Sequence, residues 1–283
     1  MKPVKIIGVP EHFNLPWHLA LEEGAFAARG IELEWEDIPE GTGRMSKLLA
    51  NQEADLAIIL TEGIVKSITE GNPAAIVQQY IASPLQWGIH VASGSAYSTI
   101  SELRGKKAAI SRTGSGSHLM AHVHARAQGW PTEDLEFTIV NNIEGAQEAL
   151  GEGSADYFMW EHFTTKPLVD QGIFRHLGDC PTPWPCFLLV GTRSFLGEHG
   201  GTVRHIQEVI NAYTLEFKSI PSMDRTLANR YGQALPDIQQ WLGMTQWSQE
   251  QLPAETLHKV QETLLGLELI SQKLPKETFL WPG

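Results

Sequence analysis

The segment SRTGSGSHLMAHVH, residues 111–124, ends an apolar run and opens a helical pattern. Gly114 and Gly116 let a backbone approach a ligand closely, and the hydroxyls of Thr113, Ser115 and Ser117 can cap the coming helix or donate outward. A helix start of this kind also attracts anions. On these residues alone, a plain strand-to-helix connection with a serine cap is the simpler reading. His118 and His122 are four apart, hence on one helix face, with His124 elsewhere; two ligands do not make a metal site, and no metal is expected. The other chemistry-bearing residues stand just behind apolar runs: Glu11, His12, Phe13 and Asn14; Thr61 and Glu62; Trp87 with His90; and Trp160, Glu161 and His162. Aromatic faces, carboxylates and a helix start together describe a pocket for a small polar molecule, one with an amine or heteroaromatic ring as well as an anionic group. The tripeptide EHF occurs at 11–13 and again at 161–163, which suggests a pseudo-symmetric pair of ring and carboxylate walls.

Those residues need elements to hold them. Apolar, β-branched runs alternate with segments of helical period, the pattern of parallel sheets covered by helices. VKIIGV, IELEW, DLAIIL and AAIVQQY read as strands of a first block, with a helical stretch that stops at Gly30 and another over RMSKLLANQ. WGIHVA, KKAAIS, LEFTIV, DYFMW, IFRHL and CFLLVGT read as strands of a second block, and from residue 201 onward only helical periods appear. The expected fold is α/β and two-lobed, each lobe a mostly parallel sheet flanked by helices, with a helical tail packed on the first lobe. Lobe I is expected over 1–88 and 193–283, and lobe II over 89–192. Ligands of open parallel sheets sit beyond the carboxyl ends of strands, where the residues named above fall.

Bulk properties exclude several classes. A chain of 283 residues with a formal net charge of −12 offers no basic stripe for nucleic acid. No apolar run reaches the roughly 18 residues of a membrane span. Two cysteines, Cys180 and Cys186, give neither a metal motif nor a disulfide framework. A strand-like run at residues 4–9 lies directly behind the initiator, without a leader pattern. A cytoplasmic location is expected as written, and a periplasmic or lipid-anchored one if a leader was removed.

The stretch PEHFNLPWHLALEEGAFAARGIELEWEDIPEGTGRMSKLLANQEADLAIILTEGIVKSITEG resembles the opening lobe of type II periplasmic binding proteins. The branch is that of sulfonate and taurine binding proteins and thiamine-pyrimidine-synthase-like proteins. ELRGKKAAISRTGSGSHLMA and ALGEGSADYFMWEHF are similar to segments of its second lobe. The resemblance implies a hinge-closing fold that grips its ligand through Glu11, His12, Thr61, Glu62, Ser115, Gly116, Ser117, Trp160 and Glu161. With it, the turn at 113–118 is expected to touch ligand. Two departures stand out. The lysine that holds pyridoxal phosphate in the fungal synthases aligns with Ile59, and their substrate histidine with Gly63, while their cysteine cluster shrinks to Cys186. Isoleucine cannot form a Schiff base, so no cofactor is expected.

The expected function is therefore a binding protein that closes two lobes around a small polar metabolite: a thiamine-precursor-like heteroaromatic, a sulfonate, or another small acid or amine. The carboxylates Glu11, Glu62 and Glu161 favour a protonatable nitrogen. The alternative is a cytosolic enzyme on the same scaffold, in thiamine-pyrimidine or menaquinone-type cofactor synthesis, with His12, Glu62 or Glu161 as its titrating group. A small-molecule ligand is the expected partner, joined by an ABC-type permease if the chain is exported. Oligomeric state is left open.

Overall fold

The computed structural model describes residues 3–283. In chain order its elements are β1 (Val4–Gly8), α1 (Leu15–Glu22), β2 (Leu33–Asp37), α2 (Thr42–Ala50), β3 (Leu56–Leu60), α3 (Thr61–Thr69), β4 (Ala74–Ile81) and β5 (Gln86–Ala92). Then follow β6 (Ala108–Ile110), α4 (Gly116–Ala127), β7 (Phe137–Ile139), α5 (Ile143–Glu152), β8 (Tyr157–Glu161), α6 (His162–Asp170), β9 (Phe174–Pro181) and β10 (Phe187–Thr192). The tail is helical: α7 (Arg193–Glu198), α8 (Gly200–Glu216), α9 (Met223–Tyr231), α10 (Leu235–Met244) and α11 (Ala254–Gly266).

The chain divides into two units. The first comprises residues up to Ser83 with Trp184–Leu265 and Ile270–Gly283, around a sheet of order β2-β1-β3-β10-β4. β1 pairs in parallel with β2 and β3, while β10 runs antiparallel between β3 and β4. Continuous apolar sequence suits β3 and β10 to a sheet interior: LAIIL and FLLVG can sit only where both sheet faces are covered, and every residue of both strands is buried. β2 is an edge strand, and its Leu33 is buried while Glu34 is exposed. Gly8 is required beneath it, because a Cβ there would stand 2.5 Å from the Trp35 ring. The helical tail belongs to this unit, α8 packing on α1, apart from the short piece Gly266–Leu269.

The second unit is Pro84–Pro183 with Gly266–Leu269, and its sheet order is β7-β6-β8-β5-β9. Here too, two parallel pairings are joined by two antiparallel ones. Its core gathers Ala109, Val140, Ala146, Ala149, Leu150, Phe158 and Phe174.

The unit limits differ from the expected lobes at both crossings. β5 starts before residue 88 and pairs with β8 and β9, and β10, expected to close lobe II, lies in the first sheet. A wholly apolar strand reads the same in either sheet, and its partners decide where it goes. The sheet orders also correct the reading of the EHF repeat. β3 and β8 hold equivalent places, so Glu161 and His162 correspond to Leu60 and Thr61, whereas the loop behind β1 corresponds to the 111–117 turn. The two tripeptides are not symmetry mates.

Candidate functional site

In the first unit β3 runs straight into α3, with Leu60 extended and Thr61 already helical. Thr61 is fully buried. Its Oγ1 donates to the Pro185 carbonyl at 2.5 Å, and its N–H donates to the Cys186 carbonyl at 3.0 Å. These two bonds fix the proline-flanked segment 184–186 over the helix start. Trp184 is thereby placed so that Nε1 donates to Glu62 Oε2 at 2.7 Å. Glu62 is fully buried, and its other oxygen, Oε1, has no hydrogen-bond partner. Burial pushes its pKa up to about 7, against its own backbone N–H and the Trp184 donor, which favour the carboxylate.

The loop behind β1 forms a short 3-10 turn over His12–Asn14. The His12 ring stacks on Trp241 of α10 at 4.1 Å between centroids, and Phe13 meets Trp241 edge-on at 5.1 Å. Tyr80 donates its hydroxyl proton to the Phe13 carbonyl at 2.8 Å, and Asn14 Nδ2 donates to the Val9 carbonyl at 2.8 Å. Burial lowers the His12 pKa to about 3, so the ring is neutral, with Nε2 lacking a partner. Phe13 also touches Phe187 at 5.2 Å, and Phe187 is the strand partner of Leu60. Aromatic contact thus joins the expected residues behind β1 to those at the start of α3. Glu11 is half-buried at the start of its turn, without a side-chain capping bond.

In the second unit the turn at 111–117 is closed on itself. Ser115 caps α4, its Oγ accepting from the His118 N–H at 3.3 Å, and Ser117 Oγ accepts from the Ser111 N–H at 3.0 Å. Gly114 has φ 78°, a left-handed conformation, and Thr113 is exposed. The capping role is thus present, and the Ser115 and Ser117 hydroxyls also bond each other at 3.1 Å. Gly116 begins α4, and His118 Nδ1 accepts from the Gly114 N–H at 3.2 Å. His118 and His122 do share a face, at 5.0 Å between centroids, and His124 lies apart from them, buried against Trp130. Trp87 and Glu161 are register partners on β5 and β8. Trp87 is buried, half-buried Trp160 lies edge-on to it at 6.5 Å, and Glu161 caps α6 through Thr164. Burial raises the Glu161 pKa while its bonds from Thr164 oppose that rise.

Trp184 and Trp241 complete the first-unit cluster, and sequence reasoning does not single out either. Trp184 stands between Pro183 and Pro185, which mark a stiff loop but not its neighbours, and for Trp241 no local signal exists. The positions aligned with the lysine and histidine of the fungal synthases carry no reacting group. Ile59 is fully buried in β3 without an amine, and the space beside Gly63 is filled by the Thr42 methyl, 2.2 Å from where a Cβ would stand. Both cysteines are buried, and burial raises the Cys180 thiol to about 11, far from a reactive thiolate. No helix is long and apolar enough to cross a membrane among the described residues.

A family model described as Ca3427-like PBP matches residues 87–180. The Candida albicans CA3427 gene product, described as having the generic periplasmic binding protein fold, is similar over 97% of this chain and 92% of its own, at 24% identity and a TM-score of 0.89. The alkanesulfonate-binding protein SsuA from Xanthomonas axonopodis pv. citri, bound to MOPS, is similar over 99% and 98%, at 17% identity and a TM-score of 0.83. The aliphatic sulphonate binding protein SsuA from Escherichia coli is similar over 99% and 92%, at 18% identity and a TM-score of 0.74. No curated protein sequence matches the chain. The chain has the periplasmic binding protein fold, with two five-stranded α/β units, as the sequence resemblance implied.

Proposed function

We propose that this chain reversibly binds a small polar molecule that carries an N–H donor beside an aromatic or heteroaromatic body, and that it does no chemistry on it. The observation that carries the reading is Glu62 Oε1, a fully buried carboxyl oxygen without a partner, on a side chain whose other oxygen is fixed by Trp184. A buried acceptor left unpaired is costly, and a ligand N–H would relieve that cost. The buried rings of His12, Phe13 and Trp241 pack together in the same unit, and a ligand ring would join that cluster. The binding-protein character of the structural neighbours supports reversible capture. Hinge closure, a permease partner for an exported form, and ligand contact by Thr113, Ser115, Gly116, Ser117, His118, Trp87, Trp160 and Glu161 belong to the same proposal.

A second reading, a sulfonate ligand, has the likeness to the sulfonate-binding structures in its favour. The two separate by pH. A carboxylate at Glu62 accepts from an amine and repels a sulfonate, while the acid form has one proton to donate. Amine affinity should rise as pH passes about 7, and sulfonate affinity should fall. A thermal-shift screen of aminopyrimidines, alkanesulfonates, amino acids and polyamines tests this, since a ligand of the folded state raises the melting point by mass action. Preferential stabilisation by nitrogen bases supports the proposal; stabilisation by sulfonates alone overturns it in favour of the second reading.

A further inference from the structure

A separate cluster in the unit around Pro84–Pro183 plays no part in that reading. β5 and β9 pair with His90 opposite His176, Ile89 opposite Gly178 and Gly88 opposite Asp179, and the register slips between Ile89 and His90. Leu177 is therefore the extra residue of a β-bulge. In a regular strand, residues 176 and 179, an odd number apart, project from opposite faces. The slip brings them together, and His176 Nε2 lies 2.9 Å from Asp179 Oδ1. From another element, the first residue of α6, His162 Nδ1 lies 2.8 Å from the same oxygen. Gly88, facing Asp179, has no side chain to intrude: a Cβ there would meet the His90 ring at 2.5 Å and His162 Cα at 3.4 Å.

The three ligand atoms all lie within 4.8 Å of one another. The side chains of His162, His176 and Asp179 are 16%, 26% and 33% exposed, so solvent reaches them. We propose that His162 Nδ1, His176 Nε2 and the Asp179 carboxylate bind a divalent first-row transition ion such as zinc, cobalt or nickel. Two imidazoles with one carboxylate suit these ions, whereas magnesium and calcium prefer all-oxygen shells. The oxygen–nitrogen separations approach the roughly 3.0 Å between neighbouring ligands on a six-coordinate ion with bonds of about 2.1 Å. Binding requires each imidazole to carry its proton on the nitrogen that faces away, or to release it. Three protein ligands leave positions for water or an anion.

Cobalt(II) titration of the full chain, stripped with a chelator and held in a non-coordinating buffer near neutral pH, tests the site. Visible d–d absorption saturating at one equivalent is expected, with affinity reduced by at least about tenfold in His176→Gln and Asp179→Asn. His205→Ala, on the exposed side of α8, should bind as wild type does. Circular dichroism and melting confirm that the variants fold, and His162→Gln provides an independent arm if either does not. Absence of saturable cobalt binding, or binding unchanged in the ligand variants, overturns the proposal and leaves a hydrogen-bonded cluster that only ties β9 to α6.

Discussion

Trp184 Nε1 donates to Glu62 Oε2 at 2.7 Å across 122 residues of sequence, and Glu62 Oε1, on the same carboxyl, is buried with no partner. One oxygen is positioned by the protein, and the proposed ligand would bind the other. Burial moves this group to titrate near neutral pH, so its ionisation can be read in both stability and binding.

Glu62→Gln should gain on the wild type as pH rises. The folded-state pKa is about 7 against an ordinary 4.5. Between those values the folded chain retains a proton that the unfolded chain has lost, so this group's contribution falls through the window and is level above it. The difference between variant and wild type should shift in the variant's favour by on the order of 3 kcal/mol across the window. Urea unfolding at a series of pH values checks this, and a pH-independent difference would refute it.

Trp184→Phe should keep the ring and remove the donor. The carboxylate form of Glu62 then loses a partner, so the midpoint of the pH-dependent step should move upward from the wild-type position. A stability loss of roughly 1–3 kcal/mol at alkaline pH accompanies it, as expected for an unpaired buried charge. The same unfolding series, read for its midpoint, decides the point.

His12→Phe should protect against acid. The His12 pKa is lowered from 6.5 to about 3, so the neutral ring's contribution is complete above about 6.5 and is lost as pH falls towards 3. Phenylalanine preserves the face against Trp241 without titrating. Melting curves from pH 7 down to pH 4 should show a shallower decline in the variant than in the wild type, although buried His90 and His124 still contribute to its slope.

Gly145→Ala should destabilise and Gly151→Ala, also in α5, should not. A Cβ at 145 would stand 2.0 Å from the Val140 carbonyl oxygen, which belongs to the backbone and cannot swing away, while nothing lies within 4 Å of one at 151. The first change should cost about 2 kcal/mol or more, and the second should be neutral or stabilise by up to about 1 kcal/mol. Denaturant midpoints measure both.

Much of the architecture was legible because strand and helix periods differ so clearly here. LAIIL and FLLVG can only be buried strands, and the serine before GSHLMAHVH is the cap that it resembles. What stayed hidden depends on partners remote in sequence. β10 is apolar enough for either sheet, and only its pairing with β3 and β4 assigns it. Trp241 reaches His12 through the packing of α10, with nothing local to mark it. The bulge that joins His176 to Asp179 is set by the register of β5, which IFRHLGDC does not encode alone.

Reversible binding without turnover is tested most directly by recovering the ligand. The protein is incubated with the compound that most raises its melting point, freed of excess, denatured, and the released small molecule is weighed by mass spectrometry against the input. One unaltered molecule per chain, with retention sharply reduced in Glu62→Gln, is the predicted result. Release of a compound of different mass, or retention indifferent to Glu62, would contradict it.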